Sequence, residues 1–231
     1  VIDVLTERGG VVACLANNHI HDLPNSFDDT RFLFEKYGVH FCGAGKTCEE
    51  AAKPVKFEEN GKQIIVYNAC WNFLLYNRKN PTNGIYIAEI EELKLLNSIR
   101  FESETSPSAV LTVFLHWNLD QEILPFPMYR QFAMDLIDAG CKIVVGCHSH
   151  CVQGGEKYKD GYIIYGLGNF FIPENVFISG KLKYPEFSKT ELVFEWDILN
   201  EIAICHWFEF QNNSLSQKLV FLGSEKFELS D

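Results

Sequence analysis

Seven histidines punctuate the sequence, and His19, His116, His148 and His150 each follow an apolar run of the length of a buried strand. In α/β sheets, ligands and catalytic groups gather beyond the carboxyl ends of the strands. Three strand ends that each deliver imidazole to one edge form an arrangement suited to a transition metal such as zinc, manganese, iron or nickel. His148-Ser149-His150 sets two rings two residues apart, and in an extended segment they point the same way. His21 lies close to the first of these runs, while His40 and His206 fall within strands and read as structural. Cys147 and Cys151 flank the His148/His150 pair, but their spacing matches no common structural zinc pattern.

These residues need elements to carry them. Residues 11–16 are continuously apolar and end in Asn17-Asn18-His19, which predicts a buried strand. Residues 24–37 place Phe27, Thr30, Leu33, Phe34 and Tyr37 at helical spacing, with Gly38 as the stop. Residues 39–42 predict a short strand, and Gly43-Ala44-Gly45 a strand-to-helix turn into a helix over 48–53 rather than a phosphate-cradling loop. Residues 55–58 and 63–69 flank Asn60-Gly61, a hairpin signal. Beyond a loop over 72–84, residues 88–99 and 128–139 carry helical patterns, the second closed by Gly140, while 109–115 and 142–146 predict buried strands. From residue 161 only strands are expected, over 162–165, 191–198, 202–210 and 218–222. Alternating strand and helix followed by strands alone implies an α/β fold with a mixed sheet, in one domain over 1–231.

The charge balance, 31 acidic against 20 basic side chains for a net −11, argues against nucleic acid or an anionic membrane as the main partner. No apolar run approaches the roughly 20 residues of a membrane span, and residues 1–8 show no signal peptide. The 8 cysteines are too dilute for a disulfide scaffold and read as buried, reduced thiols in a cytoplasmic protein. The sequence opens on Val1 rather than a start methionine, so a membrane-associated or extracytoplasmic place is expected instead if an N-terminal segment has been lost.

Leu15-Ala16-Asn17-Asn18-His19-x-x-Asp22 resembles the ANNHxxD signature of the bacterial capsule-synthesis family of CapA type, associated with poly-γ-glutamate. That family resembles the calcineurin-like metallophosphoesterases. Further motifs follow in family order. Gly43-Ala44-Gly45 with Glu50-Ala51 is similar to GAG…EA, Leu115-His116-Trp117 to HWG, and Asp138-Ala139-Gly140 to DAG. Gly146-Cys147-His148-Ser149-His150 is similar to GxHPH, and Tyr165-Gly166-Leu167-Gly168-Asn169-Phe170 to YSLGNF. Residues 11–170 carry the resemblance, and the strand-rich tail over 171–231 carries none of its motifs.

The resemblance implies a calcineurin-like metallophosphoesterase sandwich of mixed β-sheets flanked by helices, here lacking the family's first strand. It implies that Asn18, His116 and His148 bind one metal and His150 a neighbouring one, with His19 as the general acid. Asp22 and Asn169 are expected just behind these groups, orienting them. The cofactor implied is a divalent transition metal (manganese, zinc or iron), one or two ions. Family members open with carboxylates that bridge two metals; Asp3 and Glu7 read as part of a helix before the first strand and do not fit that role. A complete two-metal site is therefore not expected. Smaller departures are Asn118 for Gly, Asp120 for Glu, Ser149 for Pro and Gly166 for Ser.

The function implied is hydrolysis, with metal-bound hydroxide attacking a phosphoester or a bond in an anionic capsule polymer. Capsule-assembly proteins are the partners to expect. The alternative is a non-catalytic scaffold subunit of capsule-polymer synthesis, which the missing first strand favours.

Overall fold

The computed structural model describes residues 6–7, 9–23, 26–78, 84–176, 180–212 and 216–227. Asp3 and the first two positions of the helix expected over 24–37 lie outside the described residues. The chain divides into two compact units, Val1–Trp117 with Met134–Val144, and Asn118–Ala133 with Val145–Asp231.

The first unit opens with β1 (Val12–Cys14), α1 (Ser26–Tyr37), β2 (His40–Cys42), β3 (Ala44–Gly45) and α2 (Cys48–Ala52). It continues through β4 (Val55–Glu59), β5 (Lys62–Cys70), a 3₁₀ helix (Asn72–Arg78), β6 (Tyr86–Ile87), α3 (Glu92–Thr105) and β7 (Val110–His116). After α4 (Pro127–Asp138) comes β8 (Ile143–Cys147). In this unit the sheet order runs β4-β5-β7, and the division between the units falls within α4 and within β8.

The β4–β5 hairpin forms at the expected turn: Asn60 (φ 52°) and Gly61 (φ 74°) both occupy the left-handed region. That backbone twist matches the flanking strands. β5 pairs in parallel with β7 from Ile64↔Val110 to Cys70↔His116. Ile65 to Cys70 are buried without interruption, as are Val110, Leu111, Val113 and Leu115. A parallel strand covered on both faces needs such a run rather than alternation. α4 turns Tyr129, Phe132, Ala133, Leu136 and Ile137 inward at helical spacing.

Local structure departs from expectation where backbone pairing overrides the apolar pattern. The first strand is three residues long and half-buried, with Ala16 beyond its end as the buried position. α1 buries only Phe27, and Leu33 is exposed. The helix expected from residue 88 starts at Glu92, because residues 88–90 are held extended. Ala88 N–H donates to Gly43 O (2.9 Å), Cys70 N–H to Ala88 O (2.8 Å) and Ile90 N–H to Cys70 O (2.8 Å). Part of the loop expected over 72–84 is the 3₁₀ helix Asn72–Arg78. The Gly43–Lys46 segment leads into a helix that satisfies its own start: Thr47 Oγ1 accepts from Glu50 N (3.1 Å), and Glu50 Oε2 accepts from Lys46 N (2.7 Å).

The second unit contributes β9 (Gly155–Tyr158), β10 (Gly161–Ile164), a 3₁₀ helix (Glu186–Lys189), β11 (Thr190–Asp197), β12 (Ile202–Asn212) and β13 (Gln217–Lys226). β9 was not expected from the sequence; it has no apolar run and exists by antiparallel pairing with β10. β11-β12-β13 form a separate three-stranded antiparallel sheet. Its inner face packs Leu192 and Cys205 on Ile164. Cys14 and Cys147 are half-buried and Cys48 is exposed, so the expectation of uniformly buried thiols does not hold. Among the described residues no helix is long and apolar enough to cross a membrane.

Candidate metal centre

In the first unit, the chain leaves β1 through a polar turn built by Asn17. Its Oδ1 accepts from His19 N (2.8 Å) and its Nδ2 donates to Leu15 O (3.1 Å), a side-chain mimic of a backbone turn. Buried Asn68 fixes where this turn sits: its Oδ1 accepts from Ala16 N (2.6 Å) and its Nδ2 donates to Phe114 O (3.0 Å). The segment is thereby tied to β7, whose last residue is His116, and His116 Nε2 meets Asn18 Oδ1 at 3.0 Å. His19 lies in the exposed part of the turn, with its Nδ1 2.6 Å from Asp22 Oδ2.

In the second unit, Asp120, His148 and His150 each bring a ligand atom within 4.8 Å of the others. His148 Nε2 is 3.1 Å and His150 Nε2 3.9 Å from Asp120 Oδ1. The segment is not extended as expected: His148 (φ 98°) and His150 (φ 56°) both occupy the left-handed region. Non-glycine residues held there cost on the order of 1–3 kcal/mol each and persist where surrounding structure enforces them. The rings lie 5.9 Å apart and converge because of this bend. The chain carrying Asp120 is anchored beside them, through Gln121 N to Ser149 O (2.7 Å) and Gln153 Nε2 to Glu122 O (2.8 Å).

The outer side of His150 decides its tautomer. Asn169 Nδ2 donates to His150 O (3.2 Å), which orients the amide so that Asn169 Oδ1 faces His150 Nδ1 at 2.6 Å. With Nδ1 donating to Asn169, Nε2 is the ring nitrogen left on the Asp120 side, 3.9 Å from Asp120 Oδ1. Two imidazoles and a carboxylate whose ligand atoms converge in this way are a donor set that fits a divalent metal.

Asn169 is held in turn by Glu191, which is 1 % exposed. Its Oε2 accepts the backbone N–H of Asn169 and that of Phe170 (2.7 Å). Burial pushes the Glu191 carboxyl up to about 7, while these two hydrogen bonds pull the other way. Gly168 (φ 87°) makes the approach feasible, since a Cβ there would overlap the Glu191 carboxylate.

The first unit thus joins Asn18 to His116 and His19 to Asp22, and the second joins His148, His150 and Asn169. Two participants escaped the sequence reading. Asp120 was visible only as a departure from a motif, although it follows His116-Trp117 within the same short segment. Glu191 sits in a strand of the tail and carries no motif at all. His40 starts β2, and His206 lies in β12 bonded to Ser224 Oγ (2.6 Å) and Glu195 Oε2 (2.7 Å).

Comparison with known proteins follows the same lines. The family described as "Bacterial capsule synthesis protein PGA_cap" matches residues 1–174. The capsule biosynthesis protein CapA of Bacillus anthracis is 27 % identical over 172 residues, covering 73 % of this chain and 42 % of that protein. The PGA biosynthesis protein CapA of Bacillus subtilis (strain 168) is 30 % identical over 173 residues, covering 73 % of this chain and 44 % of that protein. The chain therefore spans less than half the length of these relatives. A crystal structure from Staphylococcus aureus, described as a candidate 5′-nucleotidase in complex with α-ketoglutarate, matches with a TM-score of 0.51 at 10 % identity. It is covered over 40 % of its length by all of this chain, and supports a mixed α/β fold of the metallophosphoesterase kind. With three quarters of its length matched, the chain belongs to the bacterial capsule synthesis protein family PGA_cap.

Proposed function

We propose that this chain is a metal-dependent hydrolase of capsule biosynthesis, acting on an anionic, phosphate-type substrate: a phosphoester or a bond in a capsule polymer such as poly-γ-glutamate. The observation that carries this reading is the convergence of Asp120, His148 and His150, with the His150 tautomer set by Asn169. Family membership supports the substrate class, and the fold supports hydrolysis.

A divalent cation held there supplies Lewis acidity toward a phosphoryl oxygen and lowers the pKa of water. The chain's own residues hold and orient. His148 and His150 present Nε2, and Asp120 adds a negative oxygen. Asn169 keeps the His150 proton on Nδ1. The family motifs assign Asn18 and His116 to metal binding as well. His19 is assigned to proton delivery to the leaving group, with Asp22 fixing its ring through Nδ1 (2.6 Å) and leaving Nε2 for the substrate. Capsule-assembly proteins are proposed as partners on family grounds alone.

Elemental analysis of protein purified without a histidine tag, beside the His148→Ala variant, tests the reading. Metal near one equivalent or more in the wild type, lost in the variant, is the expected result. It is followed by phosphoesterase activity with manganese, zinc or iron. A folded wild type that holds no metal and takes up none on dialysis would overturn it and favour a scaffold role.

A further inference from the structure

We propose that Cys14 and Cys42 are a redox pair, in which a disulfide closes between β1 and β2 by exchange with a small-molecule disulfide such as oxidised glutathione. The inference stands on the first unit alone and does not rest on the hydrolase reading.

The two residues are register partners in the parallel β1–β2 pair. Register partners share a face of the sheet, and adjacent strands lie about 4.8 Å apart. That separation falls inside the roughly 4.4–6.8 Å that a disulfide spans between Cα atoms. Contact between the side chains is already made: the hydrogen bond from Cys14 is the main influence that lowers the Cys42 thiol below its ordinary range, against burial. The buried thiols of Cys141, Cys151 and Cys205 are all pushed upward by burial and stay protonated.

Burial sets the order of events. Cys14 is half-buried and Cys42 buried, so Cys14 meets the reagent first. The Cys14 sulfur attacks one sulfur of the reagent as its proton passes to Cys42, forming a mixed disulfide and releasing one thiolate, which takes up that proton. The Cys42 thiolate then attacks the Cys14 sulfur, closing the intramolecular bond and releasing the second thiolate. Two S–H groups become one S–S bond, their protons pass to the released thiolates, and two electrons pass from protein to reagent.

The bond closes the loop that contains Asn17, Asn18 and His19. Reduced, that segment is already bonded to β2 through Leu15 N–H to Cys42 O (2.9 Å). Oxidation adds a covalent tie one residue away, so the turn that presents Asn18 to His116 loses freedom.

The experiment is incubation of the native full chain with oxidised glutathione, alkylation of the remaining thiols, and peptide mapping by mass spectrometry. The expected product has lost two alkylatable thiols and yields one cross-linked peptide joining Cys14 to Cys42. It shows slower amide exchange over Leu15–His19. The Cys42→Ser variant should stop at a stable glutathione adduct on Cys14, and the Cys14→Ser variant should leave Cys42 unmodified. A different principal cross-link, or thiols that react only after denaturation, would overturn the proposal.

Discussion

The donor groups of the two units are held in different ways. In the first, Asn18 Oδ1 meets His116 Nε2 at 3.0 Å, and the His19–Asp22 pair stands in solvent with side chains 60 % and 45 % exposed. In the second, the His148 side chain is 4 % exposed, His150 is braced by Asn169, and Asn169 is braced by a buried carboxylate. Here two histidines are held at positive φ and a glutamate is kept out of water. Such costs are tolerated where ligand geometry must be set before the ligand arrives. On the function proposed above, the contrast fits cation holding by the braced Asp120, His148 and His150 group and proton handling by the exposed His19–Asp22 pair.

The largest effect that tests this division is loss of the metal. His148→Ala is expected to abolish binding measured by elemental analysis and titration, whereas His19→Ala retains the full metal content. A His19→Ala variant that loses metal would break the contrast. Next, His19→Ala should lower turnover by about 10²- to 10⁴-fold, the usual weight of a general acid, read in the phosphoesterase assay that the wild type passes.

The buried carboxylate gives a pH signature in metal-free protein. The folded pKa of Glu191, about 7, lies above its ordinary value of 4.5. Its contribution to stability is therefore fully present below pH 4.5 and is lost as pH rises to 7. The loss is roughly 3 kcal/mol at about 1.4 kcal/mol per pH unit. Urea unfolding at intervals from pH 4 to 8 should show that decline, and Glu191→Gln should flatten it. An unchanged slope in the variant would remove Glu191 from the account. Asn169→Ala should then weaken metal affinity by about 10- to 100-fold without abolishing it, as loss of an orienting partner does. An unchanged affinity would show that the His150 tautomer is set elsewhere.

How much of this was legible in the sequence follows from where the information resides. The Asn60-Gly61 hairpin and the buried runs of β5, β7 and β8 were readable because local backbone demands and burial agree there. The helix expected from residue 88 was displaced because backbone bonds to Gly43 and Cys70, distant in sequence, hold residues 88–90 extended. β9 was invisible because its residues alternate between exposed and half-buried and only the partner strand makes it a strand. The histidines of the site were readable from their place after apolar runs and from their motifs. Asp120 and Glu191 were not, since an exposed aspartate in a turn and a glutamate in a strand look ordinary until folding brings His150 and Asn169 beside them. Asn68, which ties the Asn17–His19 turn to β7, was likewise hidden inside an apolar run.

The backbone at residue 148 has a consequence for engineering. At φ 98° the position is glycine territory, and a Cβ there is a standing liability. Among small replacements glycine suits the position best: His148→Gly is expected to exceed His148→Ala by about 1 kcal/mol in unfolding experiments on metal-free protein. Histidine at this position thus runs against the preference of its own main chain.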